Sequence, residues 1–221
     1  MNNKIVILGS SGHAKVIAEI LESLDYEIVG FIDSFAEKGK QVLDYQVLGD
    51  ETMFEDPNNN FGTSNVVIAV GDNHKRALVH NKLLTINKSL NFPAIISPFS
   101  TVSSRCVIGE GTVIMSNVVI NCETIINEFC LVNTSSVIEH ECTLDSFSSL
   151  APGVILGGNV LVKEKAFVGI GSTIIQKRTV GKESVVAAGS TVVKDVPLKS
   201  LVAGSPAVVK KQDYSNDNLF A

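Results

Sequence analysis

An aliphatic residue recurs at every sixth position from Ile96 to Val192, and its register never slips. A second column, four residues after each aliphatic position and beginning at Ser100, holds small residues at every step except Arg178. Such a period cannot be helical, because an α-helix turns every ~3.6 residues. It is the hexapeptide signature of a parallel β-helix, in which three hexads close one triangular coil. Residues 96–197 therefore predict a β-helix of roughly five to six coils.

The two columns also predict where side chains point. The aliphatic column is expected to fill the interior, and the small column to lie where the chain bends. Cys106, Cys130 and Cys142 fall in the small column and are interpreted as compact core residues. No metal site is predicted, because the cysteines show no Cys-X-X-Cys or Cys–His spacing. An inward charge at Arg178 is costly, so that hexad is expected to bulge or to turn its side chain outward.

Before residue 97 the pattern changes to short apolar runs and apolar residues at helical spacing. These segments predict, in chain order, strand Lys4–Leu8, helix 13–24, strand Glu27–Ile32, strand 65–70 and helix 73–86. The polar, Asn-rich stretch 53–64 predicts a loop. This order of elements is typical of a small parallel α/β sheet of the Rossmann type.

The change of pattern predicts the domain organisation. Residues 1–92 are expected to form the Rossmann-like domain and residues 93–211 the β-helix domain. Residues 212–221 are interpreted as a polar C-terminal tail.

Composition and charge exclude several classes of protein. The chain has 221 residues, 45% hydrophobic and 19% charged, which excludes a disordered protein. Its net charge of −5, without a basic stripe, argues against nucleic-acid binding. The apolar runs are too short to insert into a membrane and no signal peptide is visible. Four cysteines without an export signal are typical of a reducing compartment, so we expect a cytoplasmic protein.

Three turns lie at the carboxyl ends of the predicted strands, where Rossmann-type sheets bind ligands: 9–13, 33–34 and 71–73. Backbone amides at the first helix N-terminus are suited to a diphosphate, and Asp33 to hydrogen bonds from a ribose or base. The glycines follow G-x-x-G rather than G-x-G-x-x-G, so NAD is only weakly indicated. A tight turn made by Gly9 and Gly12, without a ligand, is an equal alternative.

His140 is the candidate catalytic residue. It follows Ile138 by two positions, outside both core columns, and lies between Glu139 and Glu141. Carboxylates there can orient the imidazole and raise its basicity, as a general base requires. A solvated polar face is the plain alternative. His74 and His80, on the second predicted helix, are interpreted as surface or satisfied residues.

Together these features resemble the left-handed β-helix hexapeptide-repeat sugar acyltransferases. The resemblance rests on the hexads, the turn 9–13, the C-terminal Ala-Gly-Ser-Pro-Ala of 203–207 and the run 133–142. The last is most similar to bacterial UDP-4-amino-sugar N-acetyltransferases of the bacillosamine type, a group that also contains the sialic acid O-acetyltransferases. It implies acetyl-CoA-dependent acetylation of the 4-amino group of a UDP-linked 4-amino-4,6-dideoxy sugar. A sugar O-acetyltransferase and a non-catalytic sugar-nucleotide scaffold are the alternatives.

The resemblance also implies a homotrimer, with acetyl-CoA between neighbouring β-helices and the sugar amine attacking the thioester directly. It assigns catalytic roles to His140 as general base and Glu141 as its partner. Substrate-binding roles fall on Gly9, Ser11, Gly12, His13, Asp33, Ser34, Gly71 and Asn133, and acetyl-CoA-binding roles on Ser149, Gly158, Ile170 and Ala188.

Two positions depart from the family pattern. Ser149 stands where many relatives carry a second histidine, and Ser34 where a second aspartate is common. We expect Ser149 to assist at the acetyl carbonyl. Because it lies outside the inward columns, its replacement by alanine is expected to change thermal stability little.

Overall fold

The computed structural model of the protein describes residues 3–55 and 61–214. The first part is a small α/β domain. Its elements are β1 (Lys4–Leu8), α1 (Gly12–Ser23), β2 (Glu27–Ile32), β3 (Gln41–Val42), β4 (Tyr45–Gly49), a 3₁₀-helix (Glu51–Phe54), β5 (Val66–Ile68) and α2 (Asn73–Ile86). The predicted strands β1 and β2 are confirmed to the residue. The β3–β4 hairpin and the 3₁₀-helix were not predicted, and residues 56–60 of the predicted loop lie outside the described residues.

The sheet of this domain has the order β3-β4-β2-β1-β5, with β1 parallel to both β2 and β5. α1 packs on it through Ala14, Ile17 and Leu21, which are fully buried and lie at helical spacing. The predicted Rossmann-type sheet is therefore confirmed. Its three carboxyl-end turns lie at one edge, as parallel strands require.

The second part is a left-handed β-helix built from two-residue strands on three faces. The first face contains β6 (Ile95–Ile96), β9 (Val113–Ile114), β12 (Leu131–Val132), β15 (Ser149–Leu150), β18 (Phe167–Val168) and β21 (Val185–Val186). The second contains β7 (Thr101–Val102), β10 (Val119–Ile120), β13 (Val137–Ile138), β16 (Ile155–Leu156), β19 (Thr173–Ile174) and β22 (Thr191–Val192). The third contains β8 (Val107–Ile108), β11 (Ile125–Ile126), β14 (Thr143–Leu144), β17 (Leu161–Val162) and β20 (Thr179–Val180). β23 (Leu201–Gly204) and β24 (Ala207–Lys211) extend the first face.

Turns between the faces stack into three corners. The first corner joins the first face to the second and includes residues 133–136. The second corner joins the second face to the third and includes 139–142, and the third corner returns to the first face through 145–148. Each coil repeats the previous one after eighteen residues, as in the pairing of Val119 with Val137.

The aliphatic column fills the interior as predicted. From Ile114 to Val192 every member is at most 1% exposed. Ile96, Val102 and Ile108 are only half-buried, because they belong to the coils at the end of the stack. Burial of a continuous aliphatic column is the main stabilising term for such a coil.

From Thr112 onward the small column is also buried, except at Arg178, and it has a role beyond its size. Thr112, Ser136 and Cys142 donate hydrogen bonds to the carbonyl oxygens of residues 127, 151 and 157, at 2.7, 3.1 and 3.2 Å. Each acceptor lies fifteen residues further along the chain, in a turn of the next coil. A small side chain with a hydroxyl or thiol therefore fits the bend and also satisfies a turn carbonyl.

The remaining expectations for the small column are also resolved. Cys130 and Cys142 are buried and Cys106 is half-buried, as expected for core residues. Arg178 turns outward rather than inward: its side chain is 33% exposed and lies 3.6 Å from Asp195. Among the described residues, no helix combines the length and the apolar character that a membrane span needs.

Candidate active site

A cavity of about 340 Å³ lies between the α/β domain and the β-helix. The α/β domain lines it with residues from the turns that follow β1 and β5, and the β-helix with residues of the first face and first corner. Six residues assigned from the sequence meet there: Ser11, His13, Gly71, Asn133, Ser149 and Ile170. The cavity therefore joins the predicted sugar-nucleotide and acetyl-CoA regions within one chain.

The other residues assigned to the sugar nucleotide lie in the turns beside the cavity. Gly9 has a φ of +103°, and a Cβ there would lie 2.9 Å from the Ala69 carbonyl oxygen, so this position requires glycine for packing. A Cβ at Gly12 would meet no atom within 4 Å, so packing does not explain Gly12. Packing therefore explains why glycine occupies position 9, but it does not explain the glycine at position 12.

Asp33 links two of the turns. Its Oδ2 accepts hydrogen bonds from the Ser10 amide at 2.8 Å and the Ser10 hydroxyl at 2.5 Å, and its Oδ1 accepts from the Phe35 amide at 2.8 Å. The neighbouring Ser34 donates its hydroxyl to Glu51. These bonds hold the turns after β1 and β2 together at the edge of the sheet.

The N-terminus of α1 is open to an anion. Its N-cap, Ser11, makes no side-chain capping bond, and the first turn contains no acidic residue. The first amides and the positive end of the helix dipole therefore favour a negatively charged group. Burial, together with the nearby Arg76 cation, lowers the pKa of His13 to about 4, so its imidazole is neutral at neutral pH.

A buried arginine joins the two domains behind the cavity. Arg76 of α2 is 3% exposed, and burial lowers its pKa to about 10, which leaves it charged at neutral pH. Its guanidinium donates to the carbonyl oxygens of Phe129 and Phe147 on the third corner, at 2.9 and 3.1 Å. Asn73 of the same helix donates to the carbonyl oxygens of residues 165 and 166. These bonds dock α2 on the β-helix.

Ser149 belongs to this buried network. It is 1% exposed, donates its hydroxyl to Asn73 Oδ1 at 2.5 Å and accepts from Arg76 at 3.1 Å. The expectation that its replacement changes stability little rested on the premise that a side chain outside the inward columns makes no buried contacts, and that premise is therefore wrong. The reason is that its outward side of the β-helix is covered by the α/β domain, which the hexad pattern alone does not reveal.

We expect Ser149→Ala to lower the free energy of unfolding by about 1–3 kcal/mol, because it removes two buried hydrogen bonds, one of them from the charged Arg76 guanidinium. Thermal unfolding of the variant measures this. Ser146→Ala is the matched control, since the Ser146 hydroxyl donates to an exposed Glu128 at 2.7 Å and should change stability little. Equal melting temperatures for the two variants would contradict the assignment of Ser149 to the network.

The second corner carries the candidate base. His140 Nδ1 lies 2.9 Å from Glu141 Oε2, and the two side chains are 55% and 52% exposed. Glu139, the other flanking acid, instead accepts from Asn121 at 3.0 Å. Of the two carboxylates considered, Glu141 orients the imidazole.

Gly158 lies next to the imidazole, one coil further along the same corner. A Cβ at Gly158 would lie 2.6 Å from both Cε1 and Nε2 of His140. Only glycine leaves room for this ring position. With Nδ1 facing Glu141, Nε2 is the nitrogen available to a substrate.

One chain does not bring all the assigned residues together. His140, Glu141 and Gly158 lie on the second corner, whereas the cavity opens at the first face and first corner. The second face separates the two groups. Ile170 and Ala188 are exposed and lie on the first corner in successive coils.

The remaining histidines take no part in either group. His80 packs among Phe92, Phe129 and Phe147, with its ring centroid 4.1 Å from that of Phe129. Burial lowers the pKa of His80 and so favours its neutral imidazole, the form that packs among aromatic rings at the lower desolvation cost. Over residues 3–55 and 61–214 no three side chains of the metal-ligating types come together in a metal-binding group.

Sequence reasoning placed Asp72 and Asn73 in a ligand-binding turn without giving either a role, and it missed Arg76. All three are buried polar residues in the first turn of α2 or at its N-cap. The available signal was a run of polar residues directly after a predicted strand end. Its meaning depends on how α2 docks on the β-helix, which the local pattern does not contain.

Comparison with known proteins identifies the family. Residues 4–83 match the PglD N-terminal domain. The chain is also similar to GDP-perosamine N-acetyltransferase from Caulobacter crescentus, solved as a variant with CoA and GDP-perosamine, with a TM-score of 0.88 and 33% identity over 94% of this chain and 97% of that chain. The chain belongs to the hexapeptide-repeat sugar N-acetyltransferases. The prediction of an acetyl-CoA-dependent sugar N-acetyltransferase with this fold is thereby confirmed at the level of the family.

Two further proteins are similar to this chain. The acetyltransferase domain of PglB from Neisseria gonorrhoeae, solved with acetyl coenzyme A, has a TM-score of 0.85. It is 29% identical over 95% of the present chain and 100% of the PglB chain. The bifunctional protein GlmU of Streptococcus gordonii is 43% identical over 61 residues, which make up 28% of this chain. That match spans only 12% of the length of GlmU.

Proposed function

We propose that this chain transfers the acetyl group of acetyl-CoA to the 4-amino group of a nucleotide-linked 4-amino-4,6-dideoxy sugar. The cavity between the open N-terminus of α1 and the first face of the β-helix carries this proposal. It provides an anion site for a diphosphate at one end and a β-helix surface at the other. The C. crescentus relative, solved with CoA and GDP-perosamine, supports an acceptor of this class.

The nucleotide is the open part of this proposal. The run around His140 favours UDP, by its similarity to the UDP-4-amino-sugar enzymes. The relative with GDP-perosamine makes GDP the second candidate. In this proposal Asp33, Ser34 and the turn after β1 contact the nucleoside.

We assign general-base catalysis to His140. The amine attacks the thioester carbonyl carbon, and Nε2 of His140 accepts the proton that the nitrogen loses. The tetrahedral intermediate then expels the CoA thiolate, which takes the proton from the His140 imidazolium, so that the base is regenerated. Glu141 holds the ring through Nδ1 and stabilises the imidazolium that forms, at the 2.9 Å separation found here. The buried Cys130 and Cys142 face the interior and are not nucleophiles in this scheme.

A homotrimer accounts for the separation between His140 and the cavity. In this arrangement the second corner of one copy faces the first corner of the next. Exposed aliphatic side chains on the outer faces and first corner support such contacts, namely Val107, Ile125, Ile155 and Ile170. Acetyl-CoA then lies between two β-helices, near Gly158 of one copy and Ile170 and Ala188 of the other.

A thiol-release assay tests the proposed function. The wild-type enzyme is incubated with acetyl-CoA and, in turn, UDP-, dTDP- and GDP-linked 4-amino sugars and free sialic acid. We expect release with at least one 4-amino sugar nucleotide and an amide as the product, identified by mass spectrometry. Release with sialic acid alone would show an O-acetyltransferase instead. No release with any acceptor would favour a non-catalytic sugar-nucleotide scaffold.

A further inference from the structure

Asp72 has one carboxylate oxygen without a hydrogen-bond partner among the described residues. The residue is 6% exposed and is the N-cap of α2, where its Oδ1 accepts from the Lys75 amide at 2.9 Å. Its Oδ2 is buried, and no hydrogen bond reaches it from any residue of 3–55 or 61–214. Asp72 lines the cavity beside Gly71 and His13. A buried carboxylate oxygen without a donor is rare in folded proteins and calls for a missing partner.

The obvious donors nearby are already occupied. Every N–H of the Arg76 guanidinium has an acceptor: Nε donates to Phe129, and the terminal nitrogens donate to the acceptors of residues 70, 71, 73, 147 and 149. Asn73 uses its amide nitrogen on the carbonyl oxygens of residues 165 and 166. Ser149 donates to Asn73. Arg76 therefore attracts Asp72 only at longer range.

We propose that Asp72 Oδ2 accepts a hydrogen bond from a hydroxyl group of the acceptor's hexose, which makes Asp72 a sugar-recognition residue. This inference rests on the proposed function. A hydroxyl is the donor that a hexose supplies in quantity, and a carboxylate is its strongest acceptor. The sugar would thus be held between the turn after β5 and the β-helix.

The N-termini of α1 and α2 differ in charge, and this difference favours the diphosphate at one and the hexose at the other. α1 begins with an uncapped Ser11 and no acid in its first turn, so it attracts an anion. α2 begins with the carboxylate of Asp72, which caps the helix and repels a phosphate. The neutral His13 lies between them on the cavity wall. The diphosphate is thereby directed to α1 and the hexose to α2.

The test uses Asp72→Asn, which keeps the size of the side chain and an oxygen acceptor for the Lys75 amide. Only the group at the Oδ2 position changes. The carboxylate oxygen, an acceptor, is replaced by an amide NH₂, which is a donor and cannot accept a hydrogen bond from a sugar hydroxyl. We expect the Kd of the 4-amino sugar nucleotide, measured by calorimetry, to rise about 10- to 100-fold. The Kd of the matching free nucleoside diphosphate, which lacks the hexose, should stay within about threefold, and so should the KM for acetyl-CoA.

Two variants control for folding. Asp72→Ser retains a capping residue but removes Oδ2, so it should show the same selective loss as Asp72→Asn. Asp50→Asn changes another N-cap aspartate, which accepts from the Thr52 amide at 2.9 Å and is exposed, so it should bind both ligands normally.

The outcomes distinguish this proposal from the proposed function. Unchanged sugar-nucleotide affinity in Asp72→Asn, or an equal loss for the free diphosphate, would overturn the role of Asp72. A wild-type enzyme that binds the sugar nucleotide without acetylating it would overturn the proposed function alone. A wild-type enzyme that binds the free diphosphate and the sugar nucleotide equally well would also overturn the role of Asp72, since the hexose would then contribute nothing.

Discussion

The His140→Ala variant is expected to lose about 10²- to 10⁴-fold in kcat while it folds normally. That loss corresponds to about 3–5 kcal/mol of activation free energy, the usual contribution of a positioned general base. His140 is half-exposed, so its removal opens no cavity in the core. Steady-state kinetics measure the loss.

Cys122→Ala is the matched control for His140→Ala. Cys122 is also exposed and occupies the same place on the second corner, eighteen residues earlier, directly below His140 in the stack. It should retain kcat within about threefold, because it carries no assigned role. Near-wild-type activity of His140→Ala with every acceptor would falsify the assignment of the base.

Mixing variants tests whether each site is shared between copies. Ser11→Asp keeps a good N-cap residue but places a carboxylate where the diphosphate binds, so it should be inactive. If His140 of one copy serves the cavity of another, mixed oligomers of Ser11→Asp and His140→Ala chains should regain activity. Mixtures that stay inactive, although the chains have exchanged, would show that each chain uses its own His140.

Much of the fold could be predicted from the sequence, because each hexad of the pattern corresponds to one face of a coil in the structure. Each aliphatic position from Ile114 to Val192 is inside, and each coil adds the same register. β1 and β2 are equally plain, since each is a short apolar run bounded by turn residues. The β3–β4 hairpin escaped prediction because β3 has two residues and its strand signal is correspondingly weak.

The site was predictable only in part. Turns at strand ends indicated Ser11, His13 and Gly71, and exclusion from both core columns indicated His140. The roles of Ser149 and Arg76 were not predictable, because they depend on contacts between segments more than seventy residues apart. A period within the β-helix contains no information about which of its faces another domain covers.

Arg76→Met is expected to reduce the free energy of unfolding by about 3–5 kcal/mol. Methionine keeps much of the length and apolar stem of arginine but none of its hydrogen bonds. It leaves buried acceptors on both domains without donors, including the carbonyl oxygens of Val70, Phe129 and Phe147. The gain from no longer burying a charge offsets only part of that cost. Urea unfolding at fixed protein concentration measures the change.

Arg76→Lys separates charge from geometry. A lysine keeps the cation, but its single ammonium cannot span acceptors on α2, on the turn after β5 and on the third corner. It should therefore recover only a minor part of the stability lost in Arg76→Met.

Arg178→Met is the control, because Arg178 is partly exposed and pairs with Asp195 at 3.6 Å, so its loss should cost about 1 kcal/mol or less. Should Arg76→Met be no more harmful than Arg178→Met, the two domains are held together by apolar contacts and not by the buried guanidinium. A large loss in Arg76→Met, accompanied by weaker binding of the sugar nucleotide, would show that this residue maintains the cavity as well as the interface.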